Sequence, residues 1–246
     1  MFSSYAEPCG GRNLCRVGGV RRSRERGGAH RIELCSSLAV GGVTPGPELM
    51  RQVRDSVSLP VHVMIRPRAG SFCYSSFEFE VMQEQVRKAR EFGMDGIVLG
   101  LLAPDASVDV ERTQKLVAFA DPLPVTFHRA FDDAADLPEA LEDVVRTGAK
   151  RILTSGGGRD GASTALSTLA SLIERAGERI AIMPGGGVNE RNVGRIIRQT
   201  HAREIHASLG APKSKNNHNG SAAFEERVRK LVELSATSRN RSQEVP

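Results

Sequence analysis

Several apolar runs in this chain end in reactive side chains, the arrangement by which a strand end presents chemistry to a ligand. PVTFHRAFD, residues 124–132, sets His128 and Arg129 side by side just ahead of a loop. RIELC (31–35) carries Glu33 and Cys35, VHVMIR (61–66) ends in Arg66, and EIHAS (204–208) contains His206. Imidazoles move protons near neutrality, and guanidinium groups clamp carboxylates and phosphates. Such a set suits a barrel enzyme in which Arg66 and Arg129 hold a small anion while His128 or His206 moves a proton. In MPGGGVNERNV (183–193), Gly185, Gly186 and Gly187 would let backbone N–H groups approach a phosphate, with Asn189 capping the next helix. A tight turn without a ligand is the plain alternative for these glycines.

These residues can act together only if the fold brings strand ends to one edge. Strand-like runs recur about every 25 to 30 residues, a spacing typical of βα units: 31–35, 61–65, 96–100, 124–128, 151–155, 180–184 and 204–208. Helical patterns lie between them. In DLPEALEDVVRTG (136–148), Asp136 is placed to cap, Leu137, Leu141, Val144 and Val145 share a stripe, and Gly148 stops the helix. Strand followed by helix, repeated, means parallel strands with right-handed crossovers. Seven units plus one upstream predict a (β/α)₈ TIM-type barrel, with a doubly wound open sheet as the alternative.

Alternation along each strand sorts the side chains. Ile32, Leu34, Val61, Val63, Val125, Phe127, Ile205 and Ala207 suit the helix side, which turns Glu33, Cys35, His62, Met64, Arg66, Thr126, His128, Glu204, His206 and Ser208 inward. An inward Arg66 needs a carboxylate such as Glu33 or a ligand anion. A structural Glu33–Arg66 ion pair is the plain version of that expectation.

Charge and composition exclude other classes. Residues 1–31 hold seven Arg against Glu7 and Glu25, while the remaining 27 basic and 27 acidic residues cancel. The body of the chain therefore lacks the basic face of a nucleic-acid binder. No apolar run approaches the roughly 18 residues that a membrane span requires, and no signal-peptide pattern follows Met1. Cysteines at 9, 15, 35 and 73 have no paired C-x-x-C spacing and fit a reducing, intracellular setting.

Taken in order, RGGAHRIELCSSLAVGGVTPG, VMIRPRAGSFCYS, PVTFHRAFD, ILTSGG and IMPGGGVNERNV resemble the motifs of the CutC copper homeostasis family, from about residue 26 to residue 208. The resemblance implies a cytoplasmic, often homo-oligomeric (β/α)₈ barrel that binds Cu(I) through cysteine. Cys35 of IELC matches one proposed copper ligand, and Glu33, Arg66, His128, Arg129 and His206 match the family's polar mouth. Cu(I) is soft and prefers thiolate and thioether donors, so Cys35 with a second cysteine, or with Met64 and a histidine, would serve. Upstream the chain departs from the family, whose first strand is of the type E-V-C-V. Cys15 lies close to the register of that strand's cysteine but one residue off, and such a slip turns a side chain to the other face. Residues 1–25, rich in Arg and Gly, are expected to be irregular, leaving a gap beside RIELC; the barrel is expected over 26–236, with a last helix near 221–236, and a polar tail over 237–246.

Overall fold

The computed structural model describes residues 2–6, 25–209 and 217–243. Eight short strands, β1 (Phe2–Ala6), β2 (Arg31–Leu34), β3 (Val61–Met64), β4 (Gly96–Leu99), β5 (Val125–Phe127), β6 (Arg151–Thr154), β7 (Ala181–Pro184) and β8 (Ile205–His206), form one sheet in the order β7-β6-β5-β4-β3-β2-β1-β8. Every ladder is parallel. The seven runs read from the sequence are all strands. Each of β2 to β8 is followed by a helix: α1 (Pro47–Arg54), α2 (Ser76–Glu91), α3 (Val110–Ala120), α4 (Leu137–Thr147), α5 (Leu166–Ala176), α6 (Val193–Thr200) and α7 (Asn217–Gln243).

The sheet is curled, and the chain just past β7 approaches the end of β8. A Cβ placed on Gly185, just past β7, would lie 3.3 Å from the Cβ of His206 at the end of β8. The outward side chains pack beneath the helices as the alternation predicts. Ile32, Val63, Ile97 and Phe127 share a core with Met82 and Val86 of α2 and Leu141 and Val144 of α4. Each such fully buried side chain contributes about 1.5–3 kcal/mol. In α4, Asp136 accepts from Glu139 N–H at 2.8 Å and Gly148 ends the helix at φ 82°.

Two expectations need correction. The place beside β2 is filled: Phe2–Ala6 pairs with Arg31–Leu34 on one side and with β8 on the other. A strand between two parallel neighbours needs only about five extended residues, and FSSYA supplies them upstream of the Gly/Arg-rich stretch. Residues 7–24, Cys15 among them, lie outside the described residues. At the other end α7 runs over Asn217–Gln243, so residues 237–243 continue a helix where a polar tail was expected.

Inside the curl, the end that carries the strand N-termini is held by charge. Glu204 accepts from Arg31 NH2 at 2.8 Å and from Arg151 Nε at 2.9 Å. Burial opposes the charge on Glu204, but the two guanidinium groups outweigh it and hold its carboxyl below the usual range. His62 sits near them, and burial together with Arg31 and Arg151 pushes its pKa down to about 2.

Candidate functional site

The opposite end, where the strands finish, holds the reactive residues. His128 follows β5, and its N–H donates to Leu99 O of β4 at 2.7 Å. Its ring fits there because residue 100 is glycine: a Cβ on Gly100 would stand 2.5 Å from His128 Nδ1. The chain then turns through a 3-10 helix, Arg129–Asp133, which directs Ala130 N–H back onto His128 Nδ1 at 3.2 Å. An Nδ1 that accepts leaves the proton on Nε2. That Nε2 is buried and has no acceptor among the described residues. Burial, reinforced by the Arg66 charge, pushes the His128 pKa down to about 3. At neutral pH the ring is an uncharged donor, since burial opposes a further proton there.

Arg66 does not pair with Glu33. Its NH1 donates to Val40 O and Gly42 O, and its NH2 to Gly70 O, each at 2.9 Å, while its guanidinium lies over the Phe72 ring at 4.7 Å. Arg66 Nε is buried without an acceptor among the described residues. The register explains the mismatch. Glu33 is level with His62 on β3, and Arg66 stands four residues further on, about 13 Å along an extended chain. Glu33 instead approaches His206, with Oε2 3.8 Å from Nδ1, both side chains almost fully buried.

Arg129 is organised by a residue that the sequence reading quoted but did not single out. Asp132, three positions on, accepts from Arg129 Nε at 2.7 Å, from Ser155 N–H at 2.9 Å and Ser155 Oγ–H at 3.0 Å, from Gly157 N–H at 3.2 Å, and from Thr154 Oγ–H. This nearly buried carboxylate ties the loop after β6 to the turn after β5. Arg129 NH2 donates to Ser155 Oγ at 3.1 Å. Its NH1 lies 3.4 Å from where a Cβ on Gly186 would be, an ordinary contact distance, and it is the backbone at φ 86° that favours glycine there.

Arg66, His128, Arg129, His206, Gly186, Gly187 and Ser208 line one cavity of about 420 Å³, with Met64 and Phe72 on its apolar wall. The half-buried Phe72 stands beside the His128 ring, centroids 4.9 Å apart. Its loop is fastened by Arg68, which donates to Ser71 O at 2.7 Å, to Cys73 O at 2.9 Å and to Glu78 of α2. Gly185 does not line the cavity. A Cβ there would meet Leu153 Cδ1 at 2.4 Å, so this glycine serves packing. Asn189 does not cap α6; it accepts from Arg191 N–H at 2.9 Å within the preceding turn, and Asn192 occupies the cap position. Cys35 is fully buried and packs with Met64 and Val98 behind the cavity. No group of three or more His, Cys, Asp or Glu side chains among the described residues is placed to hold a metal ion, and no described helix is long and apolar enough to cross a membrane.

A curled parallel sheet with a polar cavity at the C-terminal ends of its strands defines an α/β protein whose βα loops wall that cavity. Residues 18–211 match the CutC family, and the chain belongs to it. It is 49% identical over 184 residues to the copper homeostasis protein cutC homolog of Homo sapiens, a match that spans 75% of this chain and 67% of that protein. A CutC family protein of Caulobacter vibrioides is 45% identical over 186 residues, spanning 76% of this chain and 75% of the relative. Among solved structures, a CutC protein from Streptococcus agalactiae superposes with a TM-score of 0.74 at 31% identity, covering 84% of this chain and 97% of that one.

Proposed function

We propose that this CutC chain works by binding a small anionic ligand in the cavity at the C-terminal edge of its sheet. One observation carries the reading. Arg66 and His128 line that cavity, and Arg66 Nε–H and His128 Nε2–H are buried donors without acceptors among the described residues. Leaving such a donor unsatisfied costs about 1–3 kcal/mol, and an oxygen acceptor from a ligand removes the cost. Arg129 and the turn at Gly186 and Gly187 supply further positive potential at the rim. Thermal unfolding against a panel of small phosphates and carboxylates tests it: a ligand at 100 times its Kd adds about 2.7 kcal/mol of stability. A panel that leaves the melting temperature unmoved refutes the proposal.

A second reading concerns copper as cargo, favoured by the packing of Cys35 against Met64. A Cβ on Gly42 would lie 3.2 Å from Cys35 Sγ and 3.5 Å from Met64 Cε, so one small volume touches both side chains. A thiolate and a thioether suit Cu(I). Cys15, offered by the sequence as the second thiolate, lies outside the described residues, and Met64 takes that role in this reading. Competition with a Cu(I) chelator under reducing conditions should show copper lost from Cys35→Ser and weakened in Met64→Leu; equal retention by Cys35→Ser and the natural chain refutes it. The same reading takes the curl as a closed (β/α)₈ barrel, supported by the approach of Gly185 to His206, in a cytoplasmic homo-oligomer. Light scattering of the purified chain tests the assembly.

A further inference from the structure

The cavity's donors fall into two unlike groups. The inner group is dry. Arg66 and His128 are 5% and 3% exposed, and the Phe72 ring stands against both of them. Three of Arg66's hydrogen bonds are committed to the carbonyls of Val40, Gly42 and Gly70. What remains is Nε–H and one NH2 hydrogen of Arg66, beside Nε2–H of His128. A guanidinium with two N–H groups left, beside a neutral imidazole N–H and an aromatic ring, suits the planar face of a carboxylate.

The outer group is wet and has more donors. Arg129 is 45% exposed on its side chain, with Nε held by Asp132 and NH2 by Ser155, so its NH1 is left toward the turn at Gly186 and Gly187. The carbonyls of that turn are drawn away from the cavity. Gly186 O accepts from Ala162 N–H at 3.0 Å, and Gly187 O accepts from the side-chain amides of Asn189 and Asn192 at 2.9 Å each. The amide N–H groups of Gly186 and Gly187 have no acceptor among the described residues. Ser208, after β8, lines the same corner. Successive turn amides beside a guanidinium form a concavity for a tetrahedral oxyanion. Loops after the seventh and eighth strands are where such sheets commonly hold phosphate. Asp133, exposed at the rim, is the one carboxylate lining the cavity among the described residues.

Resting on the anion reading above, we propose that the ligand is a small phosphorylated carboxylic acid, its carboxylate on Arg66 Nε–H and His128 Nε2–H and its phosphate on Arg129 and the amides of Gly186 and Gly187. The cavity, at about 420 Å³, falls in the range of small-molecule sites, about 300–1,000 Å³, and has room for both groups joined by a short carbon link.

Calorimetry on the full chain with phosphoglycolate, glycolate and inorganic phosphate tests the pairing of the two groups. Phosphoglycolate should bind at least 30-fold more tightly than either fragment, because the second contact is made without a second loss of translational freedom. His128→Phe should weaken phosphoglycolate at least tenfold and inorganic phosphate less than twofold, whereas Arg129→Gln should weaken both at least tenfold. Inorganic phosphate binding as tightly as phosphoglycolate in the natural chain overturns the inference and leaves the anion reading standing. Absence of binding by all three overturns both. The comparison in the natural chain decides the matter even where a variant does not fold.

Discussion

Replacing Gly100 with alanine should displace the His128 ring and with it the inner donor of the cavity. The new Cβ would stand 2.5 Å from Nδ1, 2.7 Å from Cε1 and 3.0 Å from Ala130 Cβ. The ring has little room to yield, because Phe72 lies 4.9 Å away on one side and Ala130 N–H holds Nδ1. Overpacking of this kind costs about 1–3 kcal/mol, and loss of the Ala130 hydrogen bond adds about 1 kcal/mol. We expect Gly100→Ala to lose about 2–4 kcal/mol in urea unfolding at neutral pH. Pairing it with His128→Ala separates the clash from any effect of alanine on the strand end. With the imidazole removed, the added methyl finds space, and the two changes should be coupled by about 1–3 kcal/mol, the range for residues in contact. Additive losses, or an unchanged urea midpoint in Gly100→Ala, would show that Gly100 does not seat the ring.

The two buried histidines set a dependence on pH. Their pKa values in the folded chain, about 3 for His128 and about 2 for His62, lie below the unfolded value of about 6.5. The unfolded chain therefore binds more protons between those limits, so their stabilisation is complete above about pH 6.5 and is lost as pH falls toward 3, at up to about 1.4 kcal/mol per pH unit for each. Urea midpoints from pH 6.5 to 4 should fall less steeply in His128→Phe; an identical slope would refute neutral burial of that ring. Asp132→Ala should cost about 2–4 kcal/mol, the donors of Arg129, Thr154, Ser155 and Gly157 losing a charged acceptor worth about 1.5–3 kcal/mol per bond and regaining most of that from water beside the half-exposed Arg129. Faster amide exchange at Ser155 and Gly157 would check it, and unchanged protection would remove Asp132 from its organising role.

Alternation along the strands was readable because it depends only on a period of two, and the inward placing of Glu33, Cys35, Arg66, His128 and His206 needed nothing more. Pairing was not readable. Which inward side chains meet depends on level as well as face, and level follows from strand register, which the sequence does not state. Glu33 and Arg66 share a face but are separated along the sheet, so the ion pair gave way to Glu33 beside His206 and to three loop carbonyls on Arg66. Asp132 was hidden for another reason: its partners Thr154, Ser155 and Gly157 come from a different βα loop, more than twenty residues away. One local signal was available. GIVLG has glycine at both ends, and each faces an inward histidine that would collide with a Cβ, His62 at Gly96 and His128 at Gly100. The first strand carries no motif of its own: Phe2–Ala6 fills its place between β2 and β8 with only five extended residues.

Met64 ties the two proposed ligands together. It is nearly fully buried, packs on Cys35, and forms part of the cavity wall that His128 and Arg66 also line. A thioether drawn toward a metal on Cys35 would shift Met64 in that wall and so alter the shape offered to the anion. Such coupling is reciprocal by thermodynamic necessity: if Cu(I) changes the anion's affinity tenfold, the anion changes copper's affinity tenfold, about 1.4 kcal/mol. Met64→Leu keeps an apolar wall of similar volume and removes the sulfur. The two sites, if joined through this side chain, therefore lose their mutual dependence in Met64→Leu while the anion cavity keeps its donors, and a chain that binds its anion equally with and without copper has no such joint.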